Sequence, residues 1–422
     1  MSPRLRFSTP FVVAALLVAA IALGASSPGA SAATGYKQTN LVSDVAGQAP
    51  VTDPNLINAW GLVAGPTTPW WVSDNHSGFS TVYTGAGAPA PTTGPLVVAV
   101  TPPTGSPTGT IGAPTGIVFN GVATDFLLDG TNPARFIFSG EDGTISGWNS
   151  TTNAAASVVK VDNSANDAIY KGLAIGTSSG GSTLYATDFH NGKIDAFDKS
   201  FAAATLSGNF TDPNTTAGFA PFNIQAIGSQ LYVTYAKQDA DAEDDTAGVG
   251  NGYVDVFDMN GGFVKRLISQ GKLNSPWGIA MAPATFGDFS GKLLVGNFGD
   301  GVINAYDPNS GAFVGALTND SGSPIIIPGL WALAFGNGAA AGDTSALYFT
   351  AGPSGEDHGL FGNLTVPGAA TAAPTNTPAS LPQTGGTPTG GSDFPIGLLV
   401  LAIGGFIVFG SAVTLVRVRA RR

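Results

Sequence analysis

The stretch "SPWGIAMAPATFGDFSGKLLVGNFGDGVINAYD", from Ser275 to Asp307, contains the pattern from which the fold can be predicted. It holds three short apolar runs, "WGIAM", "LLVGN" and "VINAY", bounded by Gly, Asn and Asp. Runs of this length and composition favour β-strands, and Gly-containing turns between them favour antiparallel pairing. A fourth and less regular run, "GAFVGAL", follows at Gly311. The stretch therefore predicts one antiparallel sheet with a loosely defined outer strand.

The first run of this unit occurs six times, at intervals of about 52 to 56 residues. The copies are "NAWGLVA" at Asn58, "APTGIVF" at Ala113, "IYKGLAI" at Ile169, "PFNIQAI" at Pro221, "SPWGIAM" at Ser275 and "GLWALAF" at Gly329. Such a period is expected of propellers and solenoids, and the capping ends of a solenoid are not seen. We therefore expect an all-β, six-bladed β-propeller of four-stranded blades over residues 33–366, closed as a monomer.

The ends of this region predict how the ring closes. The last unit stops after its third strand, near Val366, while the extended stretch "YKQTNLVSD" precedes the first unit. We expect this N-terminal stretch to supply the outer strand of blade six.

Composition limits the partners of the protein. The 422 residues are 43% hydrophobic and 11% charged and include no Cys, so disulfides and Cys-bound metals are excluded. Residues 33–384 carry 27 acidic and 11 basic side chains, a net charge of −16. Because so acidic a surface repels phosphates, nucleic acid is not expected as a partner.

The N-terminus has the order of a secretory signal. Arg4 and Arg6 precede an apolar run from residue 11 to residue 23, and "ASA" ends at Ala32. This pattern predicts a signal peptide over residues 1–32 and an exported protein. A first transmembrane helix is the alternative, although the run is short for one.

The C-terminus combines four features: an Ala/Thr/Pro-rich stalk at 367–380, "LPQTG" at 381–385, an uncharged apolar span at 396–416 and a basic tail at 417–422. The stalk composition indicates disorder, and the span is long enough for a transmembrane helix with a cytoplasmic tail. The order resembles the cell-wall sorting signal of sortase substrates. The motif residues are Leu381, Pro382, Thr384 and Gly385.

That resemblance implies that a sortase cleaves after Thr384 and joins the protein to cell-wall peptidoglycan. It places the propeller outside the cell, on the wall or on the outer face of the membrane. A simple membrane anchor is the alternative, because about ten polar residues separate the motif from the helix.

The body of the chain resembles a family of uncharacterised secreted bacterial propellers. Blocks such as "PWWVSDNHSGFSTVY", "YAKQDADAEDD" and "NGYVDVFD" carry this similarity, which covers residues 39–364. More distantly, the strand pattern is similar to that of NHL-repeat and lactonase-type six-bladed propellers. The resemblance implies the fold and transfers no catalytic residue.

Polar and aromatic residues concentrate where the loops of a propeller emerge around the mouth of its central channel. The candidate ligand face comprises Trp60, Asp74, Asn75, His76, Asp188, His190, Trp277, Asn297, Trp331, Glu356, Asp357 and His358; Glu141 lies in an equivalent turn. Such a face suits a sugar, a peptide or another small molecule. The alternative is ordinary turn chemistry, in which Asp and Asn cap their own hairpins and Trp fills the channel.

One loop is denser in acids than turns require. The candidate metal ligands in it are Asp239, Asp241, Glu243, Asp244 and Asp245. Charges this close repel, so the loop is either solvated and flexible or organised by a cation. Oxygen ligands favour calcium, but the Gly and Glu that complete an EF-hand loop are missing.

Three functions fit these features. The first is a surface-anchored ligand-binding or adhesion module that uses the propeller mouth for an extracellular ligand. The second is a calcium-dependent hydrolase, lactonase or lyase with its metal in the channel. The third is a passive component of the envelope.

Overall fold

The computed structural model describes residues 35–214 and 216–367, which form a ring of six sheets. The N-terminal strands are β1 (Lys37–Ser43) and β2 (Val51–Thr52). Blade one contains β3 (Ala59–Val63), β4 (Trp70–Asp74), β5 (Phe79–Tyr83) and β6 (Val97–Ala99). Blade two contains β7 (Pro114–Phe119), β8 (Phe136–Gly140), β9 (Thr144–Trp148) and β10 (Val158–Asp162). Blade three contains β11 (Tyr170–Ser178), β12 (Gly181–Asp188) and β13 (Lys193–Asp198).

The second half of the ring continues in the same way. Blade four contains β14 (Phe219–Ile227), β15 (Gln230–Lys237), β16 (Gly252–Asp258) and β17 (Phe263–Ser269). Blade five contains β18 (Pro276–Met281), β19 (Leu293–Asn297), β20 (Ile303–Tyr306) and β21 (Phe313–Ala316). Blade six contains β22 (Leu330–Phe335), β23 (Leu347–Ala351) and β24 (Leu360–Thr365), followed by β1 and β2. Among the described residues, helix is limited to two single 3-10 turns, Ser164–Asn166 and Gly287–Phe289. The prediction of a six-bladed propeller is confirmed.

The ring closes through its N-terminal strand. β1 runs antiparallel to β24, from the pair Lys37 and Thr365 to the pair Ser43 and Leu360. β2 then adds a short parallel contact to β1. The predicted closure of blade six by the N-terminal stretch is therefore confirmed.

Blade three departs from the four-stranded pattern. Beyond β13 its outer edge is a single bridge between Phe197 and Ala203. Asp198 turns the chain there, since its side chain accepts the backbone N–H groups of Ser200 and Ala202. The residues that follow are rich in Gly, Asn, Pro and Thr, which favour loops over continued pairing.

Apolar side chains from neighbouring blades form the core. Ile137 of blade two packs in one cluster with Leu184 of blade three, and Val72 of blade one packs with Phe361 of blade six. Each fully buried side chain of this size contributes roughly 1.5–3 kcal/mol to folding. Packing between blades thus holds the ring in one geometry and fixes the positions of the loops at its ends.

Each inner strand carries a β-bulge near its start. In blade three Tyr170 pairs with Asp188 and Gly172 with Thr187, which leaves Lys171 as the extra residue. The register shifts at the corresponding place in the other five inner strands. In three blades a hydroxyl of the second strand accepts an N–H at the bulge. The residues at the six bulges, hereafter the axial residues, are Trp60, Thr115, Lys171, Phe222, Trp277 and Trp331.

Candidate functional site

Aromatic axial residues fill the middle of the ring. The rings of Trp60 and Trp331 stack with centroids 3.7 Å apart, and Trp277 contacts both edge-on at 6.4 and 5.8 Å. Phe222 and Phe298 pack against Trp331 at 5.9 and 4.0 Å. Because these side chains come from blades one, four, five and six, their contacts lie on the axis of the ring. We refer to these five residues as the aromatic plug.

The three tryptophans of the candidate ligand face therefore lie in the plug. Trp60, Trp277 and Trp331 are 1%, 4% and 1% exposed, so they offer no free ring surface to solvent. The indole N–H groups of Trp277 and Trp331 donate to the Lys171 carbonyl at 3.1 Å and to Asn58 Oδ1 at 2.9 Å. Trp277 and Trp331 thus hold Lys171 and Asn58 in position by hydrogen bonds.

Lys171 is the one charged axial residue. Its side chain is 2% exposed, and its ammonium donates to Glu141 Oε1 and, at 3.1 Å, to Asp244 Oδ1. The ammonium also lies 5.3 Å from the ring centroid of Trp60 and 5.9 Å from that of Phe189. Burial opposes the charge, but the two carboxylates outweigh burial, so the pKa of Lys171 is raised.

Two asparagines connect this ion pair to a third carboxyl group. Asn58 Nδ2 donates to Glu356 Oε2 at 2.7 Å and lies 3.4 Å from Asn75 Oδ1. Asn75 Nδ2 in turn donates to Glu141 Oε2 at 2.9 Å. The resulting chain of contacts, hereafter the mouth network, comprises Glu356, Asn58, Asn75, Glu141, Lys171 and Asp244.

The mouth network draws on five of the six blades. Asn58 and Asn75 flank the first hairpin of blade one, and Glu141 follows the second strand of blade two. Lys171 lies on β11, while Asp244 and Glu356 lie in the loops after β15 and β23. In an antiparallel sheet the start of the first strand and the end of the second lie at the same end of the blade. The network therefore lies at the end of the channel that the sequence indicates as the ligand face.

Glu356 lies in a largely desolvated position of the network. Burial, reinforced by the charge of Glu141, raises its pKa to about 7 despite the opposing effects of Lys171 and of the hydrogen bond from Asn58. The backbone φ of Glu356 is 70° and that of Asn58 is 49°, both in the left-handed region that non-glycine residues seldom adopt. Strained and desolvated polar residues of this kind concentrate at functional sites.

Sequence comparison identifies relatives of this chain in Acanthamoeba polyphaga mimivirus. Uncharacterized protein R648 is 34% identical over 342 residues, which are 79% of this chain and 81% of the relative. The chain belongs to the family of this viral protein. A second member, uncharacterized protein L690, is 33% identical over 78% of this chain and 85% of its own length. These relatives are viral and do not support the bacterial family expected from the sequence; no family model matches the chain.

Solved structures with a similar architecture are more distant. A protein of unknown function from Bacteroides thetaiotaomicron has a TM-score of 0.48 and 10% identity, covering 78% of this chain and 76% of its own. A glucose dehydrogenase has a TM-score of 0.46 and 11% identity over 77% and 98% of the two chains. A streptogramin B lyase has a TM-score of 0.43 and 11% identity over 80% and 100%. No site residue is transferred from them.

Three polar residues of the candidate ligand face have local contacts instead. Asp188 Oδ1 lies 3.2 Å from the backbone N–H groups of both Ile169 and Asn191. Asn297 accepts the N–H of Asn274 at 3.1 Å and donates to a neighbouring carbonyl. Asp74 is fully buried beside Thr81, and burial raises its pKa well above its usual range. These contacts hold hairpins and strand entries in place.

The three histidines occupy separate turns of the mouth. His76 is exposed, while His190 is partly buried. His358 Nδ1 lies 2.8 Å from Asp44 Oδ2 and so connects the turn after β23 to the N-terminal segment, and its neighbour Asp357 is exposed. Of the predicted ligand face, the structure brings Asn75 and Glu356 into the mouth network, together with Glu141 from the equivalent turn.

The acidic side chains of the blade-four loop do not converge on one point. Asp239 Oδ1 accepts the backbone N–H of Glu243 at 3.0 Å, and Asp244 contacts Lys171. Asp241 is exposed, and burial raises the pKa of Asp245, which lies beside Ser275. Within residues 35–214 and 216–367, no three His, Asp or Glu side chains lie close enough together to hold one metal ion. The calcium site considered from the sequence could also draw on amide and backbone carbonyl oxygens, so it stays a prediction. The Lys171 ammonium supplies the positive charge between two of the mouth acids.

The terminal signals fall outside the described residues. These are the predicted signal peptide, most of the stalk, the sorting residues Leu381, Pro382, Thr384 and Gly385, the apolar span and the basic tail. Among the residues that are described, no helix is long and apolar enough to cross a membrane.

Proposed function

We propose that this propeller is a binding module whose small polar ligand docks on the mouth network. The observation that carries the proposal is the convergence of six polar side chains from five blades, including a buried ammonium and a carboxyl group with a pKa of about 7. Among the described residues, only Asn58 hydrogen-bonds the Glu356 side chain, which leaves Glu356 Oε1 available to a ligand.

The cost of such a network supports a functional role. Replacing buried charges with packed apolar side chains is often neutral or stabilising, so stability alone does not account for Lys171 and its partners. Four of the other five axial residues are aromatic, and an apolar side chain would extend the plug. Retaining an ammonium there favours a role in recognition.

The calcium-dependent hydrolase, lactonase or lyase is the alternative proposal. It requires bound metal, and removal of that metal would lower the unfolding temperature, since a ligand that binds only the folded state stabilises it. Metal analysis of the purified protein and thermal unfolding with and without EDTA separate the two proposals. Bound calcium together with a fall in unfolding temperature would favour the enzyme.

We further propose that the propeller is exported and anchored at the cell surface by its LPQTG motif, with sortase and peptidoglycan as partners. The order of motif, apolar span and basic tail supports this location. Thr384→Ala is expected to move the protein from the covalent wall fraction to the membrane or the medium. Immunoblots of the fractions measure this, and unchanged covalent retention would reject the anchoring proposal.

A test of the binding proposal compares mouth variants with a rim variant. Purified protein is screened by thermal unfolding against a panel of neutral sugars, organic acids, amines and short peptides. We expect ligands that raise the unfolding temperature of the parent protein to lose this effect in Asn75→Ala, while Asp241→Asn retains it, because Asp241 is exposed and outside the network. Equal responses of both variants would reject the mouth as the binding site.

A further inference from the structure

The mouth network has more acidic than basic groups. Glu141, Asp244 and Glu356 contribute three carboxyl groups, and Lys171 is the single cation among them. Lys171 contacts Glu141 and Asp244 directly, whereas Glu356 is reached only through Asn58 and Asn75. Glu356 therefore lacks a direct positive partner within the described part of the chain.

The spacing of these groups also suits an organic cation. Two amide side chains separate Glu356 from Glu141, and the described acids form no set that could share one metal. A metal needs its oxygen ligands within about 2.6 Å. An organic cation carries its charge on a group with several N–H donors and a carbon frame, so it can reach oxygens that are spread more widely.

The aromatic residues beside Lys171 account for that ammonium and leave Glu356 without a comparable partner. The Lys171 ammonium already lies over the faces of Trp60 and Phe189, an arrangement that stabilises cations. Trp60 is 1% exposed, so its ring contacts Lys171 and is not free to contact a ligand. The Glu356 carboxyl group, by contrast, hydrogen-bonds only Asn58 among the described residues, and burial and the charge of Glu141 raise its pKa, as expected for a carboxylate short of a counter-charge.

We propose that the mouth binds the ammonium end of an organic amine, with the Glu356 carboxylate as its anchoring group. This inference rests on the proposed binding function and names its ligand class. The ammonium donates to Glu356 Oε1 and supplies the second positive charge of the network, while Lys171 continues to neutralise Glu141 and Asp244.

Three probes of matched length test the charge of the ligand. Cadaverine, 1,5-pentanediol and glutarate are titrated calorimetrically into the full-length protein at pH 8, where Glu356 is largely ionised. We expect cadaverine to bind and the diol and the dianion not to bind. Glu356→Gln is expected to weaken cadaverine binding at least tenfold, and Glu356→Asp, which keeps the charge, by less. Asp241→Asn, an acid-to-amide change on the exposed rim, is expected to change the affinity by less than threefold.

The outcomes separate the inference from the proposed function. Binding of glutarate or the diol that is lost in Asn75→Ala would overturn the amine inference and leave the mouth as a binding site. Absence of cadaverine binding to the parent protein would also overturn the inference, while the broader panel tests the function independently. Cadaverine binding that Glu356→Gln and Asp241→Asn weaken equally would indicate nonspecific attraction to an acidic protein and reject the site. The circular dichroism spectra of the variants establish that each is folded.

Discussion

Protonation of Glu356 makes the stability of the fold depend on pH. Its pKa is raised from 4.5 to about 7, so the folded chain holds this proton more tightly than the unfolded chain. The proton stabilises the fold fully below pH 4.5, and this contribution is lost as the pH rises to 7. A shift of this size corresponds to about 3 kcal/mol. Ionised Glu356 therefore costs stability that a bound cation would restore.

The variant Glu356→Gln tests this linkage. Gln cannot ionise, and its side-chain oxygen can still accept the hydrogen bond from Asn58. Between pH 4 and pH 8 we expect the parent protein to lose about 3 kcal/mol of unfolding free energy relative to the variant. Urea unfolding of both proteins at the two pH values measures the difference. Parallel changes in the two proteins would show that Glu356 titrates normally.

Lys171 shows what a single residue reveals in the sequence. The aligned repeats place it in one column with Trp60, Trp277 and Trp331, and it is the only charged residue in that column. This contrast is a usable signal, but the candidate ligand face does not include Lys171. The candidate ligand face does not include Asn58 either. The sequence shows that Lys171 and Asn58 carry polar side chains. Whether these side chains are buried depends on the bulges, which the sequence does not show.

At the scale of the element, three blades share one arrangement, in which a hydroxyl of the second strand accepts an N–H at the bulge of the inner strand. Thr350 Oγ1 accepts the N–H of Ala332 at 3.1 Å and donates to the carbonyl of Trp60, so it joins β22, β23 and blade one. Ser139 in blade two and Thr234 in blade four accept bulge N–H groups in the same manner. These contacts satisfy backbone groups that the bulge removes from the ladder, and they aim the axial side chains.

Thr350→Val removes this hydroxyl while keeping the side-chain shape. The N–H of Ala332 and the carbonyl of Trp60 are then buried without this partner, so we expect a loss of about 2 kcal/mol in unfolding free energy. Thr365→Val, near the end of β24, serves as the control and is expected to change stability by no more than about 0.5 kcal/mol. Urea unfolding measures both. Equal effects would mean that the hydroxyl does not support the bulge.

Strands were far easier to predict than contacts between turns. Alternating β-branched and aromatic runs between Gly and Asn marked the strands of most blades, because local composition decides pairing in hairpins. Strand-end residues such as Asp188 and Asn297 carry the same side-chain types whether they cap their own loop or face the channel. Their direction depends on register and bulges, which arise from packing between blades and cannot be derived from one repeat.

For the whole molecule, closure joins the two ends of the propeller domain in one sheet. β1 and β24 come from opposite ends of the described chain, and Ser43 also donates its hydroxyl to the Gly359 carbonyl at 3.0 Å. Asp44 then accepts the N–H of Gly359 at 2.8 Å, three residues after Glu356. The closing strand therefore also positions the turn that carries the anchoring carboxylate.

Val42→Asp tests closure and its effect on the mouth. Val42 is fully buried in β1 and packs in one cluster with Phe361 and Tyr348. Placing a carboxylate there buries an unpaired charge at the seam, so we expect a loss of about 4 kcal/mol in unfolding free energy and weaker cadaverine binding, because the turn at Glu356 loosens. Lys37→Glu changes an exposed residue of the same strand and is expected to alter stability by no more than about 0.5 kcal/mol. Urea unfolding and calorimetry measure the two effects. Full cadaverine affinity in a strongly destabilised Val42→Asp would show that the mouth keeps its geometry without a tight seam.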